Sequence, residues 1–330
     1  MDYALESKRT YELSTLEAIK NALINEKRLT PSEEIIELFL ASLKGKSEKT
    51  KETYRKGVRT FFNYCERNNI ERVEEEDITS YYNYLVERIG KEKEGLTINS
   101  VNILITSLRK LYKFLEKKGI KNLAGGLESV RTTREPKKDA LTKEQALALL
   151  NSIDRSTEEG LRDYAIIELI LHAGLRTIEI ERANVEDLRT KGNKQVLEVQ
   201  GKGHKEKDDF VKLTPAPYKA IMEYLTFRKT PSKALFTSLS DRSNGQRLKT
   251  RSIRAIVKNR LKAIGINSDR ITTHSLRHSA ITFALLGGAT IQEAQAIARH
   301  SRIDTTLIYA HNLDKLTSNY EEAVDNYLEA

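Results

Sequence analysis

The 330-residue sequence contains one cysteine, Cys65, five prolines, two methionines and no tryptophan. A lone cysteine excludes an internal disulfide framework and fits a reducing, cytoplasmic setting. It would also leave a structural zinc site to histidines and carboxylates alone, which argues against one. No apolar run approaches the roughly 20 residues that a membrane helix needs. The opening MDYALESKRT has no apolar signal core. Hydrophobic residues make up 39% and charged residues 31%, a soluble, globular composition rather than a disordered one. At this length two domains can each bury a core, and no internal repeat or low-complexity tract interrupts the chain.

The formal net charge is +9, which invites a polyanion as partner, and its distribution says more than its size. Asp241 to Lys262 holds eight Lys or Arg against one Asp, and Lys44 to Arg59 holds seven against two Glu. The tail from Leu313 to Ala330 carries five acids and one Lys. Basic interior stretches with an acidic end suggest nucleic acid in the middle and a protein contact at the tail.

Periodicity divides the chain further. Residues 1–31 are charged and helix-prone, with Leu13, Leu16, Ile19 and Leu23 at helical spacing, and Thr30-Pro31 is a helix-start signal. From 32 to 124 the pattern is helical throughout, four helices amounting to a small bundle; in the second, Tyr54, Val58, Phe61, Phe62 and Cys65 share a face. Thr97 and Asn99 offer caps for the fourth. AGGLESVRTTREPKKDALT breaks the periodicity and reads as an exposed linker over 125–140. A second domain, 141–312, opens with Thr142 as a cap and continues through two short strands around a Gly-Lys-Gly turn, a β-hairpin. The helix around Arg251 to Lys262 turns Ile253, Ile256, Val257 and Leu261 inward and its basic residues outward. The expected fold is therefore mainly α with a small β element, α+β, in two domains.

Four local groups can carry chemistry: AGLRTIE (173–179), GKGHKEK (201–207), HSLRHS (274–279) and ARHSRIDTTLIYAH (298–311). Arg176 follows an apolar helix and is expensive to bury unless an anion meets it; an ion pair with Glu179 or Glu181 is the plain alternative. GKGHK lacks the spacing of a phosphate-cradling loop, and its lysines are otherwise solvated turn residues. His274 and His278 have the i, i+4 spacing of a helical metal pair but no accompanying carboxylate, and an arginine between histidines looks more like an anion clamp. Tyr309 alone would be an ordinary core tyrosine. Together the groups supply two arginines, a lysine, two histidines and a tyrosine, the set that metal-free phosphodiester transfer requires. Arginine forks bind both non-bridging oxygens and neutralise the phosphorane. A tyrosine hydroxyl, with a pKa near 10, needs a base or a cationic site to attack.

At this point the sequence resembles the tyrosine recombinases of the phage integrase family. RDYAIIELILHAGLRTIEIERANVEDL is similar to the family's first-arginine box, and HSLRHSAITFALLGGATIQEAQAIARHSRIDTTLIYAH to its second box through the nucleophile. The hairpin lysine and an ALF strand (234–236) fall between them, and SVNILITSLRKLYKFLEKKGI resembles the family's SAM-like core-binding domain. The resemblance covers roughly residues 33–312. It implies a helical core-DNA-binding domain and a mixed α/β catalytic domain closing as a C-shaped clamp on duplex DNA. It implies Arg176 and Arg277 on the scissile phosphate, Lys202 as general acid (with Lys205 close by), and His274 as general-base candidate. His300 would bond the phosphate, Tyr309 would form the 3′-phosphotyrosine, and Glu179 would be the supporting carboxylate. In one departure, the family's usual Gly before this histidine is Arg299 here, which questions the local turn.

The implied activity is site-specific recombination, integrase- or excisionase-type or resolution, through a Holliday junction, with no cofactor, metal or ATP. A type IB topoisomerase-like activity and a non-catalytic DNA-binding regulator on the same fold are the alternatives. Expected DNA contacts are Lys49, Lys51, Tyr54, Arg55, Arg109, Lys110, Arg247, Lys249, Arg251 and Arg254. The expected partners are double-stranded DNA, further copies in a homo-tetramer that exchange the C-terminal helix (313–330, with Leu313, Leu316, Tyr320, Val324 and Tyr327 as its stripe), and an accessory directionality factor.

Overall fold

A computed structural model describes residues 31–92, 95–131, 139–201, 206–309 and 328. The expected N-terminal helix, Lys202, and all of the C-terminal segment except Leu328 lie outside the described residues. Contacts divide the chain into two compact units, 1–134 and 135–330.

The first unit is built on four helices: α1 (Glu33–Ser42), α2 (Glu48–Arg67), α3 (Glu75–Glu87) and α4 (Ile98–Glu116). Its core gathers Phe39, Val58, Phe61, Leu85, Val101 and Leu111, each fully buried. Gly57 lets α2 and α4 approach closely: a β-carbon there would sit 2.3 Å from Ser107 Oγ. Caps follow the sequence in part. Thr97 accepts from Ser100 N at 3.1 Å as expected, whereas the cap position of α1 is Ser32 rather than Thr30. Asn102 holds both the N–H and the carbonyl of Val130, which ties the mostly exposed start of the expected linker to α4 at that point.

The second unit winds around one helix. In order it contains α5 (Lys143–Asn151), α6 (Glu158–Ala173), α7 (Thr177–Arg182), β1 (Leu188–Lys191), β2 (Lys194–Val199), β3 (Asp209–Lys212), α8 (Pro215–Phe227), α9 (Thr250–Ala263), α10 (Thr273–Leu286) and α11 (Ile291–Ala298). Helix α6 is buried on nearly every side, its Arg162, Asp163 and Glu168 included, and is accordingly central; Ile166, Ile167, Leu169 and Ile170 are fully buried, and α5, α8, α9 and α10 pack on it. Thr142 caps α5 in a capping box with Gln145. At the start of the unit, Asp139 pairs with Arg270 at 2.8 Å and Leu141 N donates to Ser279 Oγ at 2.7 Å.

The sheet has three antiparallel strands, not two, in the order β1-β2-β3, with Lys191 opposite Lys194 and Val199 opposite Asp209. Strand β1 was missed because LRTK is nearly all exposed and shows no apolar alternation. Its signal is the two-residue turn Gly192-Asn193, where Gly192 has φ 60°. The expected ALF strand is a buried segment that bends at Leu235 and Phe236. It forms single bridges, Asn184 to Ala234 and Thr237 to Arg247, too short for a ladder.

Candidate active site

Two helix ends meet to make the site. Helix α6 stops at Gly174, in the left-handed conformation at φ 57°, and α11 stops at Arg299, φ 51°. Each end leaves carbonyls without helical partners and the negative pole of a helix dipole. Three guanidinium groups take them. Arg277, from the middle of α10 and only 2% exposed, donates to Gly174 O and Ala298 O. Arg176, at the cap of α7, donates to Arg299 O at 3.1 Å. Arg299 donates to Ile297 O at 3.0 Å and, at 3.4 Å, to Ala173 O and Gly174 O.

One buried carboxylate balances them. Glu179 accepts the Arg176 backbone N–H at 2.7 Å, the Arg176 guanidinium at 2.9 Å and the Arg299 guanidinium at 2.5 Å. Burial alone would raise its pKa, but Arg299, the Arg176 N–H and the Arg176 charge outweigh it and hold the carboxyl below its ordinary value. The cluster therefore keeps a cationic excess. Burial, with Arg176 and Arg299 beside it, pushes Arg277 down to about 9, still charged at neutral pH.

The histidines flank this cluster. His274 and His278 lie one turn apart on α10 with ring centroids at 4.4 Å. The Tyr309 hydroxyl is hydrogen-bonded to His278 Nδ1, and Tyr309 packs on Ile281, Ala294 and Ala298. His300 stacks at 20° to the Tyr309 ring, 6.5 Å between centroids, and its Nδ1 lies 3.0 Å from the hydroxyl of the fully buried Thr306. Burial, then the charges of His274, Arg277 and His300, depress His278 to about 4. Burial, then Arg277 and Arg176, do the same to His300. Both imidazoles are thus neutral at pH 7, and the Nδ1 of His278 can accept the tyrosine proton.

Of the expected catalytic residues, Arg176, Glu179, His274, Arg277, His300 and Tyr309 all fall in this one region, and Lys202 lies outside the described residues. The reading of the sequence missed three partners. The sequence offers His278 as half of a metal pair or as a flank of an anion clamp and Arg299 as a departure from the family pattern, and nothing in it singles out Thr306. Helical spacing, His278 four after His274 and Thr306 three before Tyr309, was the available signal.

The expected DNA contacts divide. Lys49, Arg109, Lys110, Lys249, Arg251 and Arg254 are exposed. Lys51 pairs with Glu48 at 2.8 Å, and Arg55 with Glu37 and Glu52, both at 3.0 Å. Tyr54 packs on the core beside Phe39. Arg247 is placed otherwise than expected: its guanidinium holds Glu181 O, Ala183 O and Asn184 Oδ1, securing the α7 exit.

The model of the Phage integrase family matches residues 139–315, and that of the Phage integrase, N-terminal SAM-like domain matches 36–119. Tyrosine recombinase XerC of Caldanaerobacter subterraneus subsp. tengcongensis is 31% identical over 95% of this chain and 89% of its own. Tyrosine recombinase XerD of Staphylococcus epidermidis is 29% identical over 83% and 91%. Among solved structures, the XerH site-specific recombinase bound to palindromic difH in a post-cleavage complex superposes with a TM-score of 0.65 at 20% identity, covering 82% of this chain and 80% of that one. A lambda integrase tetramer bound to a Holliday junction gives 0.63 at 13%, over 86% and 81%. At these identities the superpositions speak for the fold.

Proposed function

The chain belongs to the phage integrase family, and we propose that Tyr309 is the nucleophile with which this tyrosine recombinase cuts and rejoins DNA. The observation that carries the assignment is the hydrogen bond between the Tyr309 hydroxyl and Nδ1 of a neutral His278, beside the arginine cluster of Arg176 and Arg277.

In the proposed step the Tyr309 oxygen attacks the scissile phosphorus and the bond to the 5′ oxygen breaks, leaving a 3′-phosphotyrosine. Arg176 and Arg277 bind the non-bridging oxygens with the guanidinium N–H groups that the backbone does not occupy. With Thr306 donating to Nδ1, His300 presents Nε2–H to the phosphate. The tyrosine proton leaves through the His274–His278 pair, and Lys202 protonates the departing 5′ oxygen. Attack by the 5′ hydroxyl of a partner strand reverses the sequence and rejoins the chain. The phosphotyrosine keeps the energy of the broken ester, so no nucleotide need be hydrolysed. A duplex substrate and a lone, buried thiol fit a cytoplasmic setting. Among the described residues no helix is long and apolar enough to cross a membrane.

The test uses duplexes enriched from a random pool by binding to this protein, incubated with EDTA and resolved on a denaturing protein gel. Wild type should give a DNA-linked band and Tyr309→Phe none. A band that persists in the Phe variant moves the nucleophile to Tyr320 or Tyr327.

For assembly we propose a homo-tetramer on paired sites in which residues 313–330 of one copy dock on the next. A groove of 310 Å³ between α5, α6, α10 and α11 suits that occupant. Leu147, Leu150, Leu171, Phe283 and Ile297 line it, with Lys143 and His172 among them. It offers an apolar floor to the tail's leucine and tyrosine stripe and the Lys143 side chain to its acids.

A further inference from the structure

Arg299 has a backbone that its side chain must justify. At φ 51° and ψ 48° it occupies the left-handed region, shared among the described non-glycine residues only by Asn69. Asparagine tolerates that region and glycine suits it, whereas a long side chain with a β-carbon is disfavoured there. Such a conformation persists only when the surroundings over-determine it. The guanidinium is 9% exposed, with its Nε buried and without a hydrogen bond among the described residues. An arginine confined there for no gain would be doubly unfavourable.

The gain lies in what it closes. The Arg299 side chain donates to Glu179, Glu179 accepts from Arg176, and Arg176 donates back to the Arg299 carbonyl. That is a closed ring of three residues joining the end of α11 to the start of α7. Arg277 is tied to the same two chain ends, through Ala298 O and through Gly174 O, which Arg299 also reaches. With glycine at 299 the ring would be open, and Glu179 would keep Arg176 alone.

We propose that Arg299 is a positioning residue of the recombination site: by closing this ring it holds Arg176, and through the shared backbone Arg277, in the posture that receives the scissile phosphate. The inference rests on the tyrosine-nucleophile reading and adds to it a brace acting through Glu179. It does so through the fork of its guanidinium, which reaches a carboxylate and the carbonyls at once; a lysine at this position supplies charge but no fork.

The experiment measures single-turnover cleavage of a nicked suicide duplex carrying the enriched site, with DNA affinity and melting temperature recorded in parallel. Arg299→Gly relieves the backbone conformation while removing the guanidinium. It should melt no more than about 2 °C below wild type and bind DNA within about threefold, since phosphate contacts elsewhere dominate affinity. Its cleavage should nevertheless be slower by about ten- to a hundredfold, the scale of a misplaced reacting group. Arg299→Lys should recover only a small part of that rate. In a Glu179→Gln background, Arg299→Gly should cost much less, because the ring is already broken. Wild-type cleavage by Arg299→Gly or by Arg299→Lys, or a loss that merely tracks melting or DNA binding, overturns the brace. Wild-type cleavage that Tyr309→Phe abolishes establishes the nucleophile whatever Arg299 does. Absence of covalent product with wild type itself overturns the nucleophile assignment and the brace with it.

Discussion

His278 and His300 are held neutral by their surroundings, and that makes the site acid-sensitive. Both pKa values lie near 4, below the ordinary 6.5, because burial and neighbouring cations penalise a second positive charge. Between those values the unfolded chain binds protons that the folded chain refuses. Stability contributed by these groups is complete above pH 6.5 and is lost as pH falls towards 4. His172 runs the other way, raised by its hydrogen bond to Glu168, so its contribution is present at low pH and fades as pH rises. Among the described histidines two are depressed to about 4 and one is raised. Urea unfolding should show the wild type losing stability from pH 7 to pH 5, and His300→Asn should flatten that slope. A slope unchanged by His300→Asn would remove His300 from the linkage.

At the scale of elements, α9 separates basic residues that face solvent from those that hold the fold. Ile253, Val257 and Leu261 are buried, while Arg251 and Arg254 are exposed. Arg260 is bound to the buried Asp163 at 2.7 Å, and Arg247, just before the helix, to backbone carbonyls of the α7 exit. Arg251→Ala and Arg254→Ala should each weaken binding almost equally for all duplex sequences and reduce the salt slope by about 1. Arg247→Ala and Arg260→Ala should lower the melting temperature and leave the slope as it was. Titrations of duplex DNA across a salt series read the difference, and wild-type slopes for both Arg251→Ala and Arg254→Ala would take α9 off the DNA.

At the scale of the molecule, each unit has a core of its own, around Phe61 and Leu111 in one and around α6 in the other. Copies are proposed to join through the tail and the groove beside α11. Deleting residues 313–330 should leave cleavage of a single site while abolishing the tetramer on paired sites, as read by light scattering of the DNA complex. Leu147→Lys, a charge placed on the 50%-exposed groove residue, should do the same. Tetramers that survive both changes would assign assembly to another surface.

Much of this was legible in the chain itself. Helices α9 and α2 announce one buried face by their period, and Thr97 and Thr142 mark helix starts through local hydrogen bonds. The residues of the two boxes likewise identify themselves by type and spacing, because the chemistry of a phosphodiester demands those side chains. What the sequence could not contain was contact between distant segments. Strand β1 exists because β2 pairs with it, not because LRTK prefers a sheet. Arg247 looks like a DNA contact until three acceptors on residues 181–184 claim its guanidinium. His278 becomes the partner of Tyr309 only across a separation of 31 positions. Arg299, unfavourable in its own conformation, is justified only by Glu179, 120 positions earlier. Periodicity and capping are local energies and are written locally; hydrogen bonds between helix ends are settled only when packing brings those ends together.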